Sequence, residues 1–252
     1  MSFLFQNFRD FLTAPFPKFS RAKWTATDAT VAVLGATIVL SAVIFGGYFF
    51  AVKIFGELAA ATAVVEHFAV VFVGALLLQI FFEMAFLIIV MRRRGGKWGD
   101  LGFERASLFS MTLLPIALFG IGVLLQEGYF SGLKVLDISP TTDPQILHRA
   151  ISEKWLPLPV IFIFAGVLAP ILEEMLFRGF LLRGLLEKFS PKMALFLSAF
   201  FFAAAHLSAT FFPVYLALGL LLGFVFLRTK SLFPGIFFHA INNSVALFLF
   251  LS

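Results

Sequence analysis

The sequence predicts an all-α, polytopic integral membrane protein of about seven transmembrane helices, or eight. Of its 252 residues, 61% are hydrophobic and only 13% charged, against about 25% charged in an ordinary soluble domain. Phenylalanine alone accounts for 37 positions, more than a soluble core of this size can take in. Apolar runs of about 20 residues, the length a bilayer demands, recur along the chain. Strand-length alternation is absent, so a barrel is not expected. Cysteine is absent too, which excludes disulfides, thiolate metal sites and a cysteine nucleophile.

The elements follow in order. Residues 1–28 form an N-terminal interfacial segment, in which Phe5, Phe8 and Leu12 share one helical face suited to the cytoplasmic leaflet. The first apolar run lacks a small-residue cleavage site and is expected to stay as a span rather than act as a signal peptide. Residues 29–127 hold the N-terminal transmembrane helices, at 29–52, 68–91 and 107–127. From Gly128 to Pro157 runs the one long polar connector. There "DISPTTDP" is turn-rich, "QILHRAISEKW" suits a short helix, and His148 reads as a solvated loop residue. Residues 158–252 form the candidate catalytic core, with spans at 158–187, 193–211, 213–227 and 234–251. The first of these exceeds what a span needs, so it should tilt or project from the bilayer.

The net charge of +5 does not indicate nucleic acid, because the cations sit in short connectors between apolar runs. Fourteen of the 19 Lys and Arg residues fall on one side of the predicted topology. They are Arg9, Lys18, Arg21 and Lys23, then Arg92, Arg93, Arg94, Lys97 and Arg105, then Arg183, Lys188 and Lys192, then Arg228 and Lys230. The positive-inside rule puts that side, and the N-terminus, in the cytoplasm. Composition and length suggest a bacterial cell membrane.

Strongly polar groups inside spans are costly and usually face a protein interior or a water cavity. Here they are Glu173, Glu174 and Arg178 in "APILEEMLFRGFLL", then His206, then His239, Asn242 and Asn243, with Gln79 and Glu83 earlier in the chain. A helix break at the double Glu is disfavoured, since no Gly, Pro or Asn interrupts "ILEEMLF". Counting residues from each turn of an antiparallel bundle places Glu173, His206 and Asn243 at one depth, with His239 a turn nearer the cytoplasm. Glu174 and Arg178, four residues apart, suit an ion pair on one helical face. That pairing leaves Glu173 as the freer carboxylate. Gly219 and Gly223 form a G-x-x-x-G pair that allows close helix approach. Glu83 is expected to pair near the end of its span with the basic run Arg92–Arg94.

Such a set suits water-mediated attack on a carbonyl. Glu173 would be the general base, with His206 holding the same water. His239 and Asn243 would donate to the oxyanion. Glu173, His206 and His239 could instead ligate a zinc ion, although the H-E-x-x-H signature is absent. No cofactor is expected, and zinc is the competing reading.

The three clusters resemble the motifs of the CAAX prenyl endopeptidase and bacteriocin-processing (CPBP, or Abi) family of intramembrane proteases. Its E-E-x-x-x-R, F-x-x-x-H and H-x-x-x-N patterns read here as "EEMLFR", "FAAAH" and "HAINN". "FRGFLL" and "SLFPGIFFHAINNS" also look typical of it. The resemblance implies an all-helical, glutamate-dependent endopeptidase, historically labelled a metalloprotease. It carries catalytic roles onto Glu173, Glu174, His206, His239 and Asn243, with Arg178 supporting the site. The partners it implies are a peptide or protein substrate in the membrane and the bilayer itself, with no nucleic acid. A non-catalytic membrane scaffold of the same family is the alternative. A transporter with Gln79, Glu83 and Glu173 as a relay is disfavoured by the lack of inverted repeats.

Overall fold

A computed structural model describes residues 13–57, 59, 68–138, 158–206 and 208–251. The expected interfacial helix at Phe5, Phe8 and Leu12, the "QILHRAISEKW" helix and His148 lie outside the described residues. Seven main helices make up the rest: α1 (Ala26–Phe55), α2 (Phe68–Arg94), α3 (Leu113–Val135), α4 (Leu158–Leu185), α5 (Pro191–Ala205), α6 (Phe212–Thr229) and α7 (Leu232–Leu251). The described residues contain no strand. The protein is an all-α polytopic membrane protein. Among the described residues, four stretches are long and apolar enough to cross a bilayer: α1, α4, α6, and α3 together with the preceding turn from Leu108.

Local chemistry sets the helix ends. Thr25 caps α1 reciprocally, its hydroxyl accepting from the Asp28 amide at 3.1 Å while its own amide donates to Asp28 Oδ2 at 2.9 Å. Ser190 caps α5, with Pro191 in the first-turn position where its missing N–H costs nothing. Lys230 ends α6 in the left-handed conformation, with φ 58°. Two boundaries differ from expectation. α3 continues through Gly128 and Gly132 to Val135, because its stop comes only at Asp137, with φ 55°. α5 ends at Ala205 rather than near 211, so it is 15 residues long, or about 22 Å.

α4 runs without a break, and the double Glu lies inside it. Its register is looser than α-helical over Phe162–Leu168 and Glu174–Leu182, which are π-helical, so that Glu173 ends an α-helical turn and Glu174 opens a widened one. Such widened turns recur at functional sites.

The basic connectors collect at one end of the bundle, as the charge pattern predicts. Arg183 donates to the Asp100 carbonyl and to Ser20, and Arg228 to the carbonyls of Ala14 and Pro15. Arg21 pairs with Glu187 at 2.6 Å, and the Leu232 amide donates to the Gly102 carbonyl at 2.9 Å. Trp24, fully buried, anchors the N-terminal segment by donating from Nε1 to the Phe180 carbonyl at 2.8 Å.

Close helix approach depends on glycine at a few places. A Cβ on Gly219 would come within 3.0 Å of the Ala199 Cα, so α5 and α6 touch backbone to backbone there. Gly223 faces Leu195 across the same seam, as the G-x-x-x-G spacing anticipates.

Candidate active site

The centre of the site is a chain of charge running from α4 to α7. Glu174 and Arg178 are one helical turn apart and almost wholly buried, and Arg178 Nη1 donates to Glu174 Oε1 at 2.9 Å. Arg178 Nη2 reaches the Gly219 carbonyl at 3.3 Å, and its guanidinium lies 4.3 Å from the centre of the Phe202 ring. Opposite, His239 of α7 sets Nδ1 at 3.1 Å from the same Glu174 oxygen and Nε2 at 3.7 Å from Glu173 Oε2. A carboxylate accepts only, so the His239 Nδ1–H donates to Glu174. Room for Glu174 comes partly from Gly235, where a Cβ would stand 3.1 Å from Oε2.

The two adjacent carboxylates therefore differ in setting. Glu174 is 1% exposed and held by Arg178 and His239, whereas Glu173 is 25% exposed and its Oε2 lies 3.7 Å from His239 Nε2. Glu173 Oε2 and Glu174 Oε2 accept no hydrogen bond from the described residues.

His206 occupies the C-cap of α5, where the last carbonyls lack helical partners. Its Nδ1 donates to the Phe202 carbonyl at 2.8 Å. Because a carbonyl cannot donate, this bond fixes the tautomer and leaves Nε2 as the free acceptor of the neutral ring. Tyr215 stacks on the imidazole with centroids 3.9 Å apart. Phe202 lies between the two histidines, 4.8 Å from His206 and 5.8 Å from His239, centre to centre. No ion pair joins His206 to either carboxylate among the described residues.

Asn243 has a different neighbour from the one expected. In the π-helical turn of α4, the Ala169 amide donates five residues back to the Phe164 carbonyl. The next bond in that register would run from residue 170 to the Ala165 carbonyl, but Pro170 has no N–H. Asn243 Nδ2 donates to Ala165 instead, at 3.0 Å.

The structure thus corrects the depth count. His239, not Asn243, stands level with the carboxylates, and Asn243 reaches Ala165, two turns away. Neighbours across three seams explain the error: Ser198 bonds to the Phe177 carbonyl, Ala199 abuts Gly219, and Gly235 faces Leu222. All three turns therefore centre earlier in the chain than Ser190-Pro191, Phe212-Pro213 and Ser231, which together move the level of the carboxylates on α7 from Asn243 toward His239. A second correction concerns Glu83. Gln79, one turn away, donates to it at 3.0 Å, while Arg94 pairs with Asp28 at 2.8 Å. Arg94 lies about 16 Å further along the helix, three turns beyond Glu83. Glu83 instead lies within electrostatic range of Glu173.

Glu173, His206 and His239 are the residues that would hold a zinc ion, although among the described residues no three His, Asp or Glu side chains are grouped so as to hold a metal. His239 donates from Nδ1 to Glu174 and His206 from Nδ1 to Phe202, and these bonds leave Nε2 of each ring open to water or a metal alike.

Sequence reasoning missed Phe202, Tyr215 and Gly235 as parts of the site. Phe202 was legible as the first letter of F-x-x-x-H. Tyr215 and Gly235 carry no local signal, because only the bundle brings them to His206 and Glu174.

The model of the Rce1-like family, type II CAAX prenyl endopeptidases, matches residues 155–245, which contain all three motifs. The chain is 29% identical over 151 residues to "Putative membrane peptidase YdiL" of Bacillus subtilis, covering 60% of this chain and 58% of that one. It is 27% identical over 152 residues to "Membrane-embedded CAAX protease MroQ" of Staphylococcus aureus, covering 58% and 54%. The chain therefore spans less than two thirds of the length of either relative. No solved structure matches it with comparable significance. The family resemblance read from the motifs is borne out.

Proposed function

We propose that this chain, a member of the CAAX prenyl endopeptidase and bacteriocin-processing family by its motifs and by residues 155–245, is an intramembrane endopeptidase. It hydrolyses a peptide bond of a membrane-associated, lipid-modified or bacteriocin-like peptide, using water. It works in a bacterial cell membrane with its basic end toward the cytoplasm. The observation that carries this reading is the asymmetry of the double Glu: one carboxylate neutralised and sealed, the other partly exposed beside an imidazole.

In this reading Glu173 takes a proton from water as the new C–O bond forms. His206, its Nδ1–H fixed on Phe202, orients that water through Nε2. His239, held by Glu174, lies near enough to Glu173 to pass the proton to the departing amine as the C–N bond breaks. Arg178 already offsets Glu174, so the carboxylate that balances His239 when it gains the proton is Glu173, returned to its ionised form 3.7 Å away. Asn243, bonded to the Ala165 carbonyl two turns from the carboxylates, acts on the α4 backbone rather than on the oxyanion.

The test uses purified protein in liposomes with a panel of membrane-associated and lipidated peptides. Glu173→Gln should lower turnover by about 10²–10⁴-fold, the usual worth of a general base, while Arg93→Ala stays at wild-type rate. Cleavage should also survive 1,10-phenanthroline. Equal rates for Glu173→Gln and wild type would remove Glu173 from the reaction, and loss of cleavage with phenanthroline would return the metal reading.

A further inference from the structure

A second site lies at the basic end of the bundle, away from the carboxylates. A cavity of about 560 Å³ opens between the N-terminal segment Phe16–Ala22 and the junction of α4 with α5. Its volume falls in the range of small-ligand pockets. Lys18, Arg21 and Arg183 line it, against a single acid, Glu187. That acid is engaged by Arg21 at 2.6 Å and by the Ala26 amide at 3.3 Å. The apolar walls are Phe16, Phe19, Leu186 and Phe189.

Arg183 decides what such a pocket should hold. It is 7% exposed, yet its hydrogen bonds go to neutral oxygens, the carbonyls of Asp100 and Ser20 and the Ser20 hydroxyl. Its Nε is buried and has no partner among the described residues, and no carboxylate there forms an ion pair with it. Asp100 and Glu104 lie within electrostatic range but form no ion pair with it, and a buried guanidinium with a spare N–H and no paired carboxylate suits an anion. The pocket is also built rather than incidental. The N-terminal segment that walls it is held on both sides, by Trp24 donating to the Phe180 carbonyl and by Arg228 donating to those of Ala14 and Pro15.

We propose that this cavity binds the phosphate of an anionic phospholipid head group, with Phe19, Leu186 and Phe189 against the glycerol and first methylenes. Cations on one wall and aromatic and aliphatic carbon on the other suit a molecule whose charge and hydrocarbon adjoin. The fourteen-cation face is where such lipids concentrate, and basic pockets between helices at that level hold lipid head groups. The site is separate from the peptidase reading, and failure of either leaves the other standing.

Purified protein in detergent is titrated with phosphatidylglycerol, phosphatidylcholine or inorganic phosphate, with the melting midpoint and lipid retained in native mass spectrometry as readouts. Phosphatidylglycerol should raise the midpoint and be retained, and phosphatidylcholine should do neither. Lys18→Glu/Arg21→Glu, at two exposed positions, should weaken phosphatidylglycerol binding at least about tenfold. The charge-matched control Arg92→Glu/Arg93→Glu, on the same face but outside the cavity, should bind as wild type. Equal effects of the two lipids, or equal losses in the two double variants, would overturn the site. Stabilisation by inorganic phosphate matching that by phosphatidylglycerol would reassign it to a free anion and overturn the lipid.

Discussion

The outer half of α1 and the second half of α4 are both apolar helix, yet they obey opposite rules. Residues 42–50 of α1 are all exposed, whereas every residue from Glu174 to Leu185 in α4 is buried. Hydrophobicity does not separate them, since lipid tails are as apolar as leucine. Small and polar residues do. Gly46 and Gly47 face open space, but a Cβ on Gly179 would lie 2.8 Å from the Leu101 carbonyl, and one on Gly184 would lie 3.1 Å from that of Thr25. In this chain a glycine where backbones meet, or a charge with its partner, marks the packed helix.

The largest expected effect is at Arg178. Arg178→Met strands Glu174 in a dry interior and should cost about 3–5 kcal/mol in reversible unfolding in detergent. Adding Glu174→Leu should return most of that stability. Phe45→Ala, on the lipid face of α1, should leave the midpoint nearly unchanged, and an equal loss there would break the contrast. Next comes glycine. Gly219→Ala pushes a methyl against the α5 backbone and should destabilise by about 1–3 kcal/mol. Gly47→Ala meets nothing and should gain about 0.5–1 kcal/mol from helix propensity.

A smaller effect tests the bond across Pro170. Asn243→Ala leaves the Ala165 carbonyl unpaired and should cost about 1–2 kcal/mol. In a Pro170→Ala background the backbone N–H returns, so the same substitution should cost less, and purely additive effects would deny the coupling. The smallest effect is at the surface. The Arg21 guanidinium, by hydrogen bonding, holds the Glu187 carboxyl below its ordinary range. That pair stabilises the fold above the ordinary carboxylate pKa and stops doing so as pH falls through the depressed value. Arg21→Ala should therefore lower the neutral region of the melting profile slightly, leave the acid end unmoved, and so flatten the limb between them.

Much of this was legible in the sequence. Seven apolar runs gave seven helices, the cation count grouped four connectors that prove to touch, and Glu174–Arg178 spacing foretold their ion pair. The rest failed where a residue count stood in for geometry. Nothing in "FAAAHLSATFFP" says that the helix stops at Ala205, and a count from assumed turns matched Asn243 to the level that His239 holds. The Asn243–Ala165 bond depends on a π-register that no local pattern in "FIFAGVLAP" announces. Proline at 170 was visible, but its missing donor points to a partner only once α7 lies alongside.

The fifteen-residue length of α5 has a consequence for how anything arrives. About 22 Å of helix falls short of the roughly 30 Å of hydrocarbon in a bilayer, and a short span is accommodated by a thinner bilayer or by neighbouring protein. In the proposed reading, the end of α5 at His206 is where an extended polypeptide would enter from the side, across less oil than the full layer.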